Sequence, residues 1–425
     1  MAISFAPPTP YLPVEELKKY VGTVGTFDAG RGCPFTCSFC TISKVQGRKS
    51  RDRSANDIER LVREQAAQGV RRFFITDGNF ARNKNWEAIF DRLIMLREEG
   101  LHTNFLVQMD TLVHKIPNFI DKAGRAGLVK VFVGLEKINP DNLKSANKGQ
   151  NKLIGHRRMF QAWREKSMVT CAGYILGFPS DAPESIERDI RIIQKELPVD
   201  ILEFNILTPL PGSKDHQGMY ERGEWMDPDI SKYDLEHVTQ KHPKMSAEKW
   251  LGAYKHAWEI YYSWEHIKTL LRRAMANGIK PARLRSMILQ FGACTRYENV
   301  HPVQGGFFPR KVRTQRRSGM PRENPLLFYP VLYTTSFINY LRMGLFYLKN
   351  RRIEKRILRE EAPQNYTDVA ITPVTDDDAH EHLGLYEATE AARAAATKEV
   401  NLKETIRRAR QKTSPLGDIP VKMAR

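Results

Sequence analysis

The stretch Phe27-Asp28-Ala29-Gly30-Arg31-Gly32-Cys33-Pro34-Phe35-Thr36-Cys37-Ser38-Phe39-Cys40 decides how the rest of the chain is read, because it packs three of five cysteines into eight residues. Thiolates spaced x3 then x2 can converge on one face of an iron–sulfur cube, leaving its fourth iron without a protein ligand. An open metal position is the mark of chemistry. A structural zinc wants four closed ligands, commonly in paired C-x2-C knuckles, and no second pair exists, since Cys171 and Cys294 each stand alone. The apolar run Val21–Phe27 reads as a strand, which puts the cysteines in a loop at its C-terminal end.

Downstream the text alternates regularly. A capped helix start at Ser54 carries Ile58, Leu61, Val62 and Ala66 on one face. The strand-like run Arg72–Asp77 leads to a helix around Trp86–Glu98, Thr103–Met109 to one at Pro117–Ala126, Lys130–Glu136 to one within Asn142–Lys166, and Val169–Gly177 to Pro183–Leu197. Ile201–Leu207 closes a series of six strands. Such alternation predicts a parallel sheet with right-handed crossovers, either doubly wound or curled into a barrel. A dinucleotide-binding fold is disfavoured, because cysteines stand where G-x-G-x-x-G would follow the first strand.

The chain has 425 residues and a net charge of +18, which fits nucleic acid, an anionic membrane surface or an acidic substrate without choosing among them. The excess sits late: between His266 and Arg317 there are twelve Lys or Arg against one acid, Glu298. The N-terminus has neither a charged n-region nor an apolar h-region, and clustered free thiols suit a reducing compartment, so a cytoplasmic protein is expected.

C-x3-C-x2-C preceded by Arg31-Gly32, with Pro34 after the first cysteine and Phe39 before the last, resembles the radical S-adenosylmethionine (radical SAM) enzymes. The resemblance implies a [4Fe–4S] cluster on Cys33, Cys37 and Cys40, with S-adenosylmethionine chelated to the open iron. One-electron cleavage then gives a 5′-deoxyadenosyl radical that abstracts hydrogen from substrate, chemistry that belongs to the cofactor while the protein orients and shields it. The fold it implies is α/β, a six-stranded partial (β/α)6 barrel of radical SAM type over residues 21–215, followed by a mainly helical C-terminal region. An electron donor such as flavodoxin or ferredoxin is the implied partner.

Around the cofactor the same resemblance places Phe39 and the strand-end text Thr76-Asp77-Gly78-Asn79-Phe80, where Asp77 and Asn79 would accept hydrogen bonds from an ammonium and Gly78 would allow close backbone approach. Gly78 departs from the second acid of close relatives. Glu136 is expected near the ribose, Gly173 and Gly177 along the adenine, and Thr208-Pro-Leu-Pro-Gly212 as the loop closing this face. The combined text is similar to a narrower group that carries an N-terminal cobalamin domain, including protoporphyrin-ester cyclases and hopanoid methylases. About twenty residues precede the first strand here, without Asp-x-His-x-x-Gly, so cobalamin is implied by the resemblance but no domain for it is expected in this chain.

The organisation expected is an arm over 1–20, the barrel over 21–215, a helical basic domain over 216–361 and a mobile tail over 362–425, acidic and then Ala/Glu/Arg-rich. Leu326–Leu348 carries one charge, Arg342, and precedes the basic stretch Lys349–Arg359. Pro330, Asn339 and Arg342 interrupt it, which argues for a buried or interfacial helix over a spanning one. The function expected is C–H functionalisation (methylation, cyclisation or a related reaction) of a hydrophobic or lipid-like substrate, with peripheral contact to an anionic membrane at its inner face. The competing readings are modification of RNA, although no nucleic-acid module is recognisable, and a non-enzymatic iron–sulfur electron carrier.

Overall fold

The computed structural model describes residues 13–19, 24–138, 155–303, 312–315 and 321–374. The arm over 1–12, the N-terminal part of the helix expected within Asn142–Lys166, and the tail from 375 onward lie outside the described residues.

Six strands form one sheet: β1 (Val24–Phe27), β2 (Arg72–Ile75), β3 (Asn104–Met109), β4 (Leu128–Glu136), β5 (Val169–Leu176) and β6 (Ile201–Ile206). They lie side by side in chain order, and every neighbouring pair is parallel. A doubly wound sheet reverses its strand order; this one does not, and β1 and β6 remain unpaired with each other, so the sheet is an open, partial barrel. The crossover helices are α1 (Ala55–Ala67), α2 (Trp86–Glu98), α3 (Phe119–Ala126), α4 (His156–Glu165) and α5 (Pro183–Glu196). The Ser54 hydroxyl accepts from the Asp57 amide at 3.1 Å and caps α1, whose buried face is Ile58, Leu61, Val62 and Ala66.

Alternation along the strands sorts side chains to two faces. On β3 and β4, Phe105, Val107, Val131 and Val133 are buried beneath the helices, whereas Leu106, Gln108, Phe132 and Glu136 line the half-open concave face. β5 is buried along its whole length, as befits an inner parallel strand covered on both sides.

After β6 come α6 (Lys214–Glu221), α7 (Ala247–Tyr261), α8 (Trp264–Ala276), α9 (Pro281–Ala293) and α10 (Pro325–Ile357). α7 packs on α5 and β6, and the Tyr261 and Tyr262 hydroxyls donate to the Val199 and Leu202 carbonyls at 2.8 and 3.0 Å. Residues 363–372, at the start of the segment expected to be a tail, meet these helices: Arg273 pairs with Asp368 at 2.7 Å, and the Gln161 amide donates to the Ala370 carbonyl at 2.9 Å.

α10 is one continuous helix of 33 residues that passes through Pro330. Its inner end is anchored: Phe346 is buried against Trp264 and Tyr297, and Glu354 pairs with Arg285. Its outer part projects, with Leu327, Val331, Tyr333, Phe337 and Leu341 all more than half exposed. The expectation of a buried helix is therefore corrected for residues 326–341, where only Phe328 is buried. Among the described residues no helix is long and apolar enough to cross a membrane.

A buried ion pair ties the crossover helix α4 to the sheet. Arg164, 1% exposed, pairs with Asp200, and Asp200 also accepts from the Thr170 amide and hydroxyl at 2.9 and 3.0 Å. Replacing Asp200 by Ala leaves a buried guanidinium without its counter-charge, and the expected loss is about 3–5 kcal/mol of unfolding free energy, read from denaturant titrations. A loss under about 1 kcal/mol would show that the pair is not carrying this junction.

Candidate functional site

The cysteine loop leaves β1 at its C-terminal end and is fastened from below by β2. One oxygen of Asp77 accepts from the Ala29 and Gly30 amides at 2.7 and 2.8 Å, and the other accepts from the Asn83 amide group at 3.2 Å. Asp28 is held from the side by Arg31 at 2.6 Å and Arg53 at 3.0 Å. Burial would raise the Asp28 carboxyl, but the two guanidinium groups hold it below the ordinary carboxylate range. Gly32, at φ +116°, approaches the Lys49 carbonyl so closely that an added Cβ would lie 2.5 Å from its oxygen, and the Cys33 amide donates to the Gly47 carbonyl at 3.1 Å.

Cys33, Cys37 and Cys40 are partly exposed thiols in this loop, and none is in a disulfide. A single ion about 2.3 Å from each sulfur would draw them within about 4 Å of one another. Their sulfurs do not all lie within 4.8 Å; the one donor group that close among the described residues is Asp234, Glu236 and His237, a turn closed by its own hydrogen bonds. Three separated soft donors on a glycine-shaped loop fit a polynuclear iron–sulfur cluster better than zinc.

The structure gathers most of the other expected residues around this loop. Phe39 and Leu207 both pack against Ile175 and Phe178, which joins the cysteine loop and the segment after β6 to the end of β5. Gly78 lies under the segment after Cys40, where an added Cβ would meet Ile42 at 2.6 Å. Asn79 donates to Asp110 at 2.9 Å, and Arg82 donates to both Asp110 oxygens at 2.7 Å while its guanidinium lies over the Phe35 ring. Gly173 faces Phe132, which an added Cβ would meet at 2.9 Å. Gly177, at φ +105°, lies directly against Trp250 of α7, whose ring would be 1.8 Å from an added Cβ. Between the Gly177 loop, Ser38 and the Thr208 loop opens a cavity of about 640 Å³ that also reaches Asp215 and His242.

Glu136 ends β4 with φ +63°, a left-handed conformation that costs a non-glycine residue of order 1 kcal/mol and is characteristic of functional positions. The register with β5 shifts at this point. The next residue, Lys137, is fully buried and pairs with Asp181 at 3.0 Å. The other Asp181 oxygen accepts from the Gly177 and Phe178 amides at 2.9 and 3.1 Å. The backbone twist at Glu136 thus locks the Gly177 loop through Lys137.

Asp28, Arg53, Arg82, Asp110, Lys137 and Asp181 were not singled out from sequence. Asp28 and Asp110 stand directly behind β1 and β3, as Asp77 stands near the end of β2. An acid repeated after successive strands was the signal available for them.

Comparison with known proteins agrees with this geometry. Residues 28–193 match the family model of the Radical SAM superfamily. Over those residues the chain therefore carries a domain similar to that superfamily. It is 31% identical over 230 residues to the bacteriochlorophyllide d C-12(1)-methyltransferase of Chlorobaculum tepidum, covering 52% of this chain and 48% of that protein. It is 28% identical over 209 residues to the hopanoid C-2 methylase of Rhodopseudomonas palustris, covering 48% of this chain and 39% of that protein. The chain thus spans less than half the length of either relative. In fold it is similar to the radical S-adenosylmethionine methyltransferase TsrM from Kitasatospora setae, solved with cobalamin and a [4Fe–4S] cluster bound, at TM-score 0.50 and 17% identity over 65% of this chain and 61% of that one.

Asp77 gives this architecture a pH signature. Burial, only partly offset by its hydrogen bonds, pushes its carboxyl up to about 6. A raised folded value means that the native state holds the proton more tightly than the unfolded chain, so Asp77 destabilises progressively as pH rises from about 4 through 6. Asp77→Asn keeps an acceptor for the Ala29 and Gly30 amides but removes the titration. Between pH 4 and 7 its stability relative to wild type should improve by about 2 kcal/mol, measured by denaturation at each pH. A difference that does not change with pH would rule out a titrating Asp77 in this role.

Proposed function

We propose that this chain is an enzyme that cleaves S-adenosylmethionine reductively and functionalises a C–H bond, by methylation, cyclisation or a related reaction, of a large and mostly apolar substrate. The observation that carries the reading is the cysteine loop itself: three partly exposed thiols at the C-terminal end of β1, fastened by Asp77 and backed by the apolar group of Phe39, Ile175, Phe178 and Leu207. A [4Fe–4S] cluster on Cys33, Cys37 and Cys40 would supply the electron that splits the cofactor and yields the 5′-deoxyadenosyl radical.

The chain's own residues position and shield. Asp77, Asp28 and Arg53 hold the loop in register with the sheet. Phe39 presents an apolar surface for a base, and Gly173 and Gly177 let the Phe132 and Trp250 rings pack directly against the strand end. Asn79 stays beside Asp110 as a polar group at the mouth, and Glu136 is offered to the ligand by its left-handed backbone. A reductant is required, and a small acidic flavoprotein or ferredoxin is the donor we assign. Neither curated relative described above is named as acting on RNA, and bare electron carriage would leave the cavity beside Gly177 without a use.

Anaerobic reconstitution tests the reading. The protein should take up about four irons, and Cys33→Ala, Cys37→Ala or Cys40→Ala should each abolish 5′-deoxyadenosine formation, while Cys171→Ala and Cys294→Ala should not. Zinc uptake without iron would overturn it.

We further propose that α10 brings the barrel to an anionic membrane surface. Its outer part is apolar and exposed, the following segment Lys349–Arg359 is basic, and cations near an anionic bilayer contribute about 1 kcal/mol each. In flotation with liposomes the protein should bind anionic vesicles, bind less as salt rises, and lose binding in the double variant Phe337→Glu, Leu341→Glu, whose side chains touch no core. Equal flotation of variant and wild type would remove α10 from the interaction.

A further inference from the structure

The concave face of the sheet holds a polar pair that the mechanism above does not use. Glu203 on β6 is 8% exposed and stands in register with Gly173 on β5, which is itself in register with Gly134 on β4. Two residues along the same face is Asn205, in register with Ile175 of the apolar group that contains Phe39. Neither side chain is accounted for by the protein. No hydrogen bond to the Glu203 carboxylate occurs among the described residues, and its nearest cationic candidate is His301, whose Nε2 is 4.0 Å away. That nitrogen already bonds the Phe204 carbonyl at 3.1 Å, and burial pushes the His301 imidazole down to about 4, so it is neutral. The Asn205 Oδ1 is buried without a partner. Buried polar atoms are satisfied in the great majority of proteins, and those that are not ask for a ligand or a chemical role.

We propose that Glu203 and Asn205 form an acceptor pair inside the barrel that binds an O–H or N–H donor of the molecule held there. The inference rests on the proposed function, and it narrows the substrate class. A purely hydrocarbon ring system lying on this pair would leave both acceptors buried and unpaired, whereas a molecule carrying a hydroxyl, amine or pyrrole N–H would satisfy them. Gly134 and Gly173 project no side chain of their own beside Glu203, and the Phe132 ring lies over Gly173 on this face. The donor comes from one of two sources: the hydroxyls of the adenosyl cofactor stacked near Phe39, or the substrate itself.

Glu203 also titrates where it matters. Burial pushes Glu203 up to about 7, with Glu136 raising it further and Lys130 opposing. The other ionisable groups facing it are Cys171 on β5, Tyr254 and Tyr262 on and after α7, and His301. A donor favours the ionised carboxylate, so binding releases a proton near neutral pH and affinity rises as pH passes through about 7.

The experiment uses reconstituted holoprotein and isothermal calorimetry at pH 6, 7 and 8, in buffers of different ionisation enthalpy. One arm titrates S-adenosylhomocysteine; the other titrates a free-base porphyrin carboxylate into protein saturated with S-adenosylhomocysteine. In the arm that supplies the donor, wild-type affinity should rise about tenfold from pH 6 to 8 with proton release. Glu203→Gln should bind about tenfold more weakly at pH 8 and lose the pH dependence. Asn205→Ala should bind more weakly yet keep it, which a merely structural defect would not do. Thermal melting confirms that both variants fold. Iron content and S-adenosylmethionine cleavage are recorded on the same preparations, so failure of those defeats the proposed function. Normal cleavage with proton-neutral binding, unchanged by Glu203→Gln in both arms, overturns this inference alone.

Discussion

The placement of the cysteines depends on one carboxylate. Asp77 follows the end of β2, and both of its oxygens are spent on holding nearby chain: two amides of the segment leaving β1, and the side chain of Asn83. Parallel strands leave their C-terminal edge without a continuing ladder, and a loop starting there has no intrinsic direction. A buried acceptor between the first two strands gives it one, at the cost of desolvating a charge. Asp110 repeats the device one strand further on, gathering Asn79 and Arg82.

A second clamp closes the far side of the same edge. The left-handed turn at Glu136 sends Lys137 into the core, where Asp181 receives it and fixes the Gly177 loop through two amides. Tyr174 shares the arrangement, since its ring lies 4.8 Å from the lysine nitrogen and its hydroxyl donates to Asp189. Strain at one residue is thereby offset by a buried network two strands wide, and both flanks of the barrel mouth are held by buried polar contacts.

Much of this could be read in the amino-acid text. Strand–helix alternation is a local periodicity, so the six parallel strands followed from it while their order as a partial barrel came from the family resemblance, and cysteine spacing is a local constraint with few chemical solutions. Phe39, Gly78 and Gly177 were legible as members of the cysteine-loop neighbourhood because motif text carries them. What could not be read is long-range. Asp28, Arg53, Asp110 and Asp181 are ordinary acids and bases until folding brings amides or guanidinium groups to them, and Lys137 looks like a surface lysine until the backbone at Glu136 turns it inward. The exposure of α10 was hidden for a related reason: an apolar run of this length buries in most folds, and nothing local announces that no element among the described residues covers it.

The contact between Gly177 and Trp250 bears on how modular this protein is. The indole sits where a side chain at 177 would be, and its nitrogen donates to the Leu176 carbonyl at 3.1 Å, so the end of β5 is shaped jointly by the barrel and by a helix more than seventy residues further along. His242 stacks edge-on against the same indole and bonds the Phe178 carbonyl at 2.9 Å. The floor of the cavity beside the cysteine loop is therefore a shared wall between two successive parts of the chain. Evolution could not exchange the helical region for another, as domains are exchanged, without rebuilding the loop on the barrel side, so the two parts must have diversified together.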